Sequence, residues 1–188
     1  SWDSLSSPDG TFRIEFSVGE EGKALYRVRR GEDEVLLPSG LGFVEAGGAD
    51  WTGGYVKAEL GAAELHDGSW RPVWGERSLV RDHYRGAVVL FRRAGPLAGL
   101  KLAVRAYDSG VAFRYLVRAR GEQKSINIES EKTEFCFTAD HKTWAVYSAQ
   151  GKYSKVKLSE LRSSIERPCV LETEAGKVIA IAEAALVD

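Results

Sequence analysis

No methionine occurs anywhere in this chain, not even at position 1. The missing initiator points to a mature form or a fragment of something longer. Cysteine is almost as scarce, with only Cys136 and Cys169. Two thiols without CxxC spacing cannot build a structural zinc site. They read as buried free thiols, and a disulfide between them is not required. The only histidines are His66, His83 and His141. None pairs with another in an H-x-x-x-H spacing for zinc, and no serine sits in a G-x-S-x-G elbow. Phosphate loops and dinucleotide fingerprints are also missing, since glycines such as Gly110 and Gly121 stand alone. Each absence lowers the expectation of a self-contained enzyme. No apolar run reaches the roughly 18 residues of a membrane helix. The N-terminus, Ser1-Trp2-Asp3-Ser4-Leu5-Ser6-Ser7-Pro8, carries no signal-peptide pattern. Excess charge of either sign is missing too: 26 basic and 27 acidic residues leave a net charge of -1. That balance gives no bulk field for nucleic acid or an anionic membrane, so neither is expected as a partner. The basic cluster Arg27-Val28-Arg29-Arg30 alternates as a strand does and reads as a solvated face.

What the chain has in quantity is alternation. Its 188 residues, 44% hydrophobic and 28% charged, suit one globular domain with a sizeable core. Phe12, Ile14, Phe16 and Val18 face one way while Arg13, Glu15 and Ser17 face the other. Leu100, Leu102, Val104 and Ala106 repeat the pattern, as do Val111, Phe113, Tyr115 and Val117. Tyr107-Asp108-Ser109-Gly110 lies between those two runs and suits a tight turn, so 100–117 is expected to be a β-hairpin. A second hairpin is expected over 169–182, turning at Glu174-Ala175-Gly176-Lys177. The apolar run Ala87–Arg93 reads as a strand buried on both faces. Only Leu158-Ser159-Glu160-Leu161-Arg162-Ser163-Ser164-Ile165 resembles a helix. Many short strands with frequent glycine turns predict an all-β antiparallel sandwich in a single domain over 1–188.

Two features could carry chemistry. The first is the run Ile179-Ala180-Ile181-Ala182-Glu183-Ala184-Ala185-Leu186-Val187, where one carboxylate sits in an apolar, strand-like stretch. A buried carboxylate needs a cation or a metal, so Glu183 is expected either to have such a partner or to mark a solvated sheet edge. As a hard-cation ligand it suits calcium, but calcium takes six to eight oxygens and one carboxylate leaves most of them to be found elsewhere. The second is the aromatic block Trp70-Arg71-Pro72-Val73-Trp74-Gly75 followed by Arg81-Asp82-His83-Tyr84. Indole faces stack on sugar C–H faces while Arg81, Asp82 and His83 could bond hydroxyls. Against this stands the reading in which Trp70 and Trp74 fill the core. Trp2, Trp51 and Trp144 have no such polar company and are expected to be packing residues. Neither feature supplies the opposed carboxylates that glycoside hydrolysis requires.

The chain resembles the N-terminal domain of glycoside hydrolase family 97, a family of calcium-dependent α-glucosidases and α-galactosidases. The matching stretches are Ser7-Pro8-Asp9-Gly10, Trp70-Arg71-Pro72-Val73-Trp74-Gly75, Arg81-Asp82-His83-Tyr84 and Tyr107-Asp108-Ser109-Gly110-Val111-Ala112-Phe113-Arg114-Tyr115, then Glu131-Lys132-Thr133-Glu134-Phe135 and Glu183-Ala184-Ala185-Leu186. They fall in family order and span nearly the whole chain. The resemblance implies a β-super-sandwich like that of galactose mutarotase, followed in the parent polypeptide by a (β/α)8 barrel that holds the catalytic acid and base or nucleophile. It implies no catalytic residue in this chain and makes Glu183 a calcium ligand. It further implies an α-linked glucoside or galactoside as the parent's substrate and a secreted or periplasmic location. Three departures stand out. Ala182 replaces a usual histidine, the segment Tyr147-Ser148-Ala149-Gln150-Gly151-Lys152-Tyr153-Ser154-Lys155 lacks the usual acids, and the chain stops at Asp188 where the family's sandwich continues. The expectation is therefore a truncated sandwich without its barrel, whose unpaired edges invite self-association. A stand-alone carbohydrate-binding module and a purely structural domain are the rival readings.

Overall fold

The computed structural model describes residues 1–95, 99–117, 125–162 and 164–184. These form two compact units, the first ending at Cys136 and the second starting at Phe137. Every strand pairing is antiparallel.

The first unit begins with a four-stranded meander of β1 (Asp3–Ser6), β2 (Phe12–Val18), β3 (Ala24–Arg30) and β4 (Asp33–Gly40). The β1–β2 turn is built around one carboxylate. Asp9 accepts hydrogen bonds from the Thr11 hydroxyl at 2.7 Å, the Thr11 backbone N–H at 2.8 Å and the Ser7 hydroxyl at 2.7 Å. Gly10, at φ 77°, supplies the left-handed residue that the turn needs. The Asp9 N–H donates to Asp108, in the turn between Tyr107 and Gly110, at 3.0 Å, tying two distant loops together. These donors, the Thr11 hydroxyl foremost, hold the Asp9 carboxyl well below the usual carboxylate range. A depressed folded-state value stabilises the fold above the unfolded value, and this contribution is lost as pH falls through the folded one. The Asp9 carboxyl carbon is expected to keep its ionised NMR shift at about pH 3.9, where a free aspartate is half protonated. A midpoint at that ordinary value would mean that the turn is open in solution.

Strand β5 (Phe43–Glu45) leaves this sheet. Strands β6 (Tyr55–Leu60), β7 (Glu64–Trp70), β8 (Val80–Arg93), β9 (Leu100–Tyr107) and β10 (Gly110–Leu116) form a second sheet in the order β10-β9-β8-β6, with β7 also on β8. Strand β11 (Ile128–Glu131) returns to pair with β5. The hairpin expected over 100–117 is present, with Tyr107 opposite Gly110.

The two large sheets close a sandwich core. Ile14 and Phe16 of β2 and Tyr26 and Val28 of β3 are buried, as are Val89, Phe91, Leu100, Leu102, Val104 and Ala106 of the other sheet. Phe16 meets Phe91 edge-on at 6.3 Å, and Tyr26 meets Phe113 at 5.2 Å. The Tyr26 hydroxyl donates to the Glu134 carbonyl at 2.7 Å, and burial pushes its pKa far up.

Two sequence expectations change here. The solvated face expected of Arg27-Val28-Arg29-Arg30 is partly covered at Arg27, whose partner Glu15 of β2 is only 7% exposed. Glu15 accepts from Arg27 at 2.7 Å, and that guanidinium lies 4.4 Å from the Trp2 ring, so the N-terminus covers a partly buried ion pair. Nor is Ala87–Arg93 buried on both faces. Val89 and Phe91 point into the sandwich, while Val88 is exposed, with none of the described residues layered over it.

The second unit is a four-stranded sheet of β12 (Lys142–Ala145), β13 (Ser154–Lys157), β14 (Cys169–Glu172) and β15 (Val178–Ile181), ordered β13-β12-β14-β15. The β14–β15 hairpin is the one expected over 169–182, turning through Gly176 at φ 74°. The helix expected over 158–165 reduces to one 3-10 turn, Leu158–Glu160. Ser163 lies outside the described residues. The local sequence has too few apolar positions to bury a longer helix, and Asp140 instead ties this turn down by accepting from the Ser159 N–H and hydroxyl. Cys136 and Cys169 are both free and half-buried rather than fully buried, and burial pushes the Cys169 thiol up.

Candidate functional site

The first candidate is a two-stranded ribbon. Strand β9 pairs with β8 from Tyr84 to Phe91, so among the described residues Val80–His83 have only β7 as a strand partner. Residues 71–79 join the two strands as an exposed loop. Directly opposed residues of an antiparallel pair share a face, so the register sorts the side chains. Trp70 opposes Val80, Gly68 opposes Asp82 and His66 opposes Tyr84, all on the face that points away from the core. Ser69 opposes Arg81 and Asp67 opposes His83, on the other face.

The five residues singled out from the sequence therefore do not converge as one set. Trp70 and Asp82 share the outer face, Arg81 and His83 lie on the opposite one, and Trp74 sits in the loop. Arg81 grips Asp67 with two bonds of 2.8 Å and holds that carboxyl below its ordinary range. His83 Nδ1 is 3.7 Å from Asp108. On the outer face, His66 Nε2 lies 3.3 Å from Asp82, and its ring stacks on Tyr84 at 4.8 Å. Tyr84 meets Tyr107 at 5.1 Å and carries the Arg105 guanidinium at 4.4 Å. Sequence reasoning missed His66, Asp67, Arg105 and Tyr107, and gave no role to Tyr84 although its block was singled out. Counting strand alternation back from Trp70 finds His66 and forward from Asp82 finds Tyr84, whereas Asp67, on the other face, follows only from the pairing with Arg81 and His83.

The core-filling alternative for Trp70 and Trp74 is overturned, because they are 54% and 87% exposed. Trp51 is a packing residue, 6% exposed, its indole N–H donating to Glu45 at 2.7 Å. Trp144 is not, since it is 42% exposed with Lys155 over its ring.

The second candidate is Glu183. It follows edge strand β15, and Ala182, Glu183 and Ala184 are all exposed, so the run is not the buried strand its composition suggests. Residues 185–188 lie outside the described residues. Glu183 has a cationic partner: it pairs with Arg167, and the two line a shallow depression with Pro168 and Ala182. Among the described residues no group of three His, Cys, Asp or Glu comes together. Glu183 therefore fits calcium as one oxygen donor among several, on condition that Arg167 yields its place. The described residues do not build a calcium shell by themselves.

A family model for the glycosyl-hydrolase 97 N-terminal domain matches residues 5–188. A Glycoside Hydrolase Family 97 enzyme from Pseudoalteromonas sp. strain K8, solved in complex with panose, is 27% identical and superposes with a TM-score of 0.85. The alignment covers 99% of this chain and 29% of that one, and the complex with acarbose gives the same figures. A beta-arabinopyranosidase structure, 20% identical, shares the fold at a TM-score of 0.79, over 98% of this chain and 32% of its own. This chain thus spans less than a third of the length of these enzymes. The nearly helix-free, antiparallel architecture matches the N-terminal sandwich of the family 97 enzymes. The chain belongs to the glycosyl-hydrolase 97 N-terminal family.

Proposed function

We propose that this chain is the non-catalytic N-terminal sandwich of a secreted or periplasmic α-glycoside hydrolase. In the parent a (β/α)8 barrel follows it and carries the acid and the base or nucleophile. The family match over nearly the whole chain carries this reading, together with relatives more than three times as long that are solved with panose and acarbose. The sandwich lends Glu183 to a calcium site and forms part of the substrate-site wall, with Trp70, Trp74 and Asp82 as wall residues, while Arg81 and His83 face the other side of the ribbon. Calcium, when bound there, supplies a fixed positive charge near the substrate. The parent's substrate is an α-linked glucoside or galactoside. In the isolated chain calcium is weak or absent, and unpaired sheet edges favour self-association.

The purified 188-residue chain is expected to hydrolyse neither p-nitrophenyl α-glucoside nor p-nitrophenyl α-galactoside. The same chain in frame with its parent's following segment should hydrolyse one of them. Activity of the isolated chain that survives repurification would overturn the proposal. A second reading, a stand-alone carbohydrate-binding module, draws on the exposure of Trp70 and Trp74. It gains if the parent gene encodes no barrel.

A further inference from the structure

We infer that the outward face of strands β9 and β10 binds an acidic polysaccharide, one that carries carboxylates along its chain. The inference needs neither the calcium site nor the barrel of the proposed function.

Strand register collects one sign of charge on this face. Lys101, Ala103 and Arg105 point outward on β9, since Leu102 and Val104 between them are buried. Arg114 opposes Ala103 and Ala112 opposes Arg105, so β10 adds a third cation to the same side. Lys101, Arg105 and Arg114 are all exposed. No outward residue of these two strands is acidic, although the chain as a whole carries a net charge of -1. The acids on this side of the sheet stand on other strands. Glu59 is held by Lys57 and Arg92, Asp82 lies 3.3 Å from His66, and Glu64 is across β8 from Arg105. Solvated surfaces mix the two signs, and a face of one sign gathers the opposite charge.

The backbone positions of Lys101 and Arg105 are about 13 Å apart along β9, with Arg114 midway on the next strand. Three cations over that length suit a chain of several anions better than one small ion. Arg105 is already fixed. Its guanidinium lies 4.4 Å over the Tyr84 ring, on which His66 also stacks, and it donates to the Tyr107 hydroxyl at 3.3 Å. A guanidinium held in this way has little ordering left to do when it meets a carboxylate. Between the cations stand the short side chains of Ala103 and Ala112, low enough for a chain to lie along the sheet.

Three kinds of polymer carry such charge. Single-stranded nucleic acid needs bare ring faces for its bases, but the Tyr84 ring is taken up by His66 and Arg105. An acidic protein needs an apolar centre, and the exposed large apolar side chains beside the cations, Val88 and Leu116, are only 43% and 37% exposed. An acidic sugar chain needs neither. Its carboxylates meet the cations, and its hydroxyls bond the Tyr107 phenol and the remaining N–H groups.

The test is isothermal titration of the 188-residue chain with hexagalacturonate at low salt, beside neutral maltohexaose. Saturable binding of the acidic sugar alone is expected, weakening as salt is added because exposed charges are screened. Arg114→Gln and Lys101→Gln should each weaken it about tenfold, the worth of one hydrogen bond to a charged group. Neither should lower the melting temperature appreciably, because both side chains are exposed. Arg30→Gln removes an exposed positive charge from β3 in the other sheet and should leave the affinity as it was. Absence of binding at low salt, equal binding of maltohexaose, or a loss in Arg30→Gln equal to that in Arg114→Gln overturns the inference. So does equally tight binding of poly-glutamate or of a single-stranded oligonucleotide, since the face would then read charge alone. None of these failures touches hydrolysis by the parent, so the proposed function stands or falls separately.

Discussion

In the full-length parent, Glu183→Gln is expected to raise the calcium concentration needed for half-maximal hydrolysis by at least about tenfold, the usual cost of disturbing a metal's protein shell. The change removes one charged oxygen donor and preserves size. Its effect on folding should be small, because the Glu183 side chain is 49% exposed and its ion pair is with the solvated Arg167. Arg167→Ala tests the same geometry with the opposite sign. Removing the competing guanidinium frees the carboxylate, so less calcium should be needed. A Glu183→Gln enzyme with an unchanged calcium requirement would remove this residue from the metal site. An Arg167→Ala enzyme needing more calcium would mean that the guanidinium holds Glu183 in its binding position.

Phe16→Ala should be the most damaging single change to the fold, at about 3–5 kcal/mol. Phe16 is fully buried, on the strand whose pairs reach both β1 and β3, and its edge-on contact with Phe91 crosses between the two sheets. Phe91 in turn packs against Tyr55 at 5.7 Å, so the cavity would open at the centre of a connected aromatic cluster. Thermal or urea unfolding should show the melting temperature falling by about 10 °C or more. Trp74→Ala, which deletes a larger ring, should change stability by less than about 0.5 kcal/mol because that ring is 87% exposed. If the two variants melted together, the sandwich core would not be where the fold draws its stability.

The strands were legible because alternation has a strict period of two and each run is closed by glycine, aspartate or proline. Leu100–Ala106 and Val111–Tyr115 show this most plainly: the run, its turn and its buried face all follow from spacing. What failed depends on neighbours that a single strand does not encode. Glu15 and Ser17 alternate outward correctly, yet the N-terminal residues cover them. Ala87–Arg93 is apolar throughout, but only one of its faces meets another sheet. The apolar run around Glu183 is uncovered because β15 is an edge strand, and composition carries no record of edge position. In the site the residue types were readable and the grouping was not. Strand register separates Trp70 and Asp82 from Arg81 and His83, and it recruits His66, fifteen residues upstream of Arg81. Arg167 came into view only with the structure, since its pairing with Glu183 joins two segments sixteen positions apart.

The most direct measurement is hydrolysis of p-nitrophenyl α-glucoside and α-galactoside by the full-length parent, with calcium, with chelator, and with calcium restored. Activity on one of the two that falls on chelation and returns with calcium, while the 188-residue chain alone stays inactive, is the expected result. A full-length protein that cleaves neither substrate under any of these conditions, or an isolated chain that cleaves one, would contradict the assignment of this sandwich as the non-catalytic part of a calcium-assisted α-glycosidase.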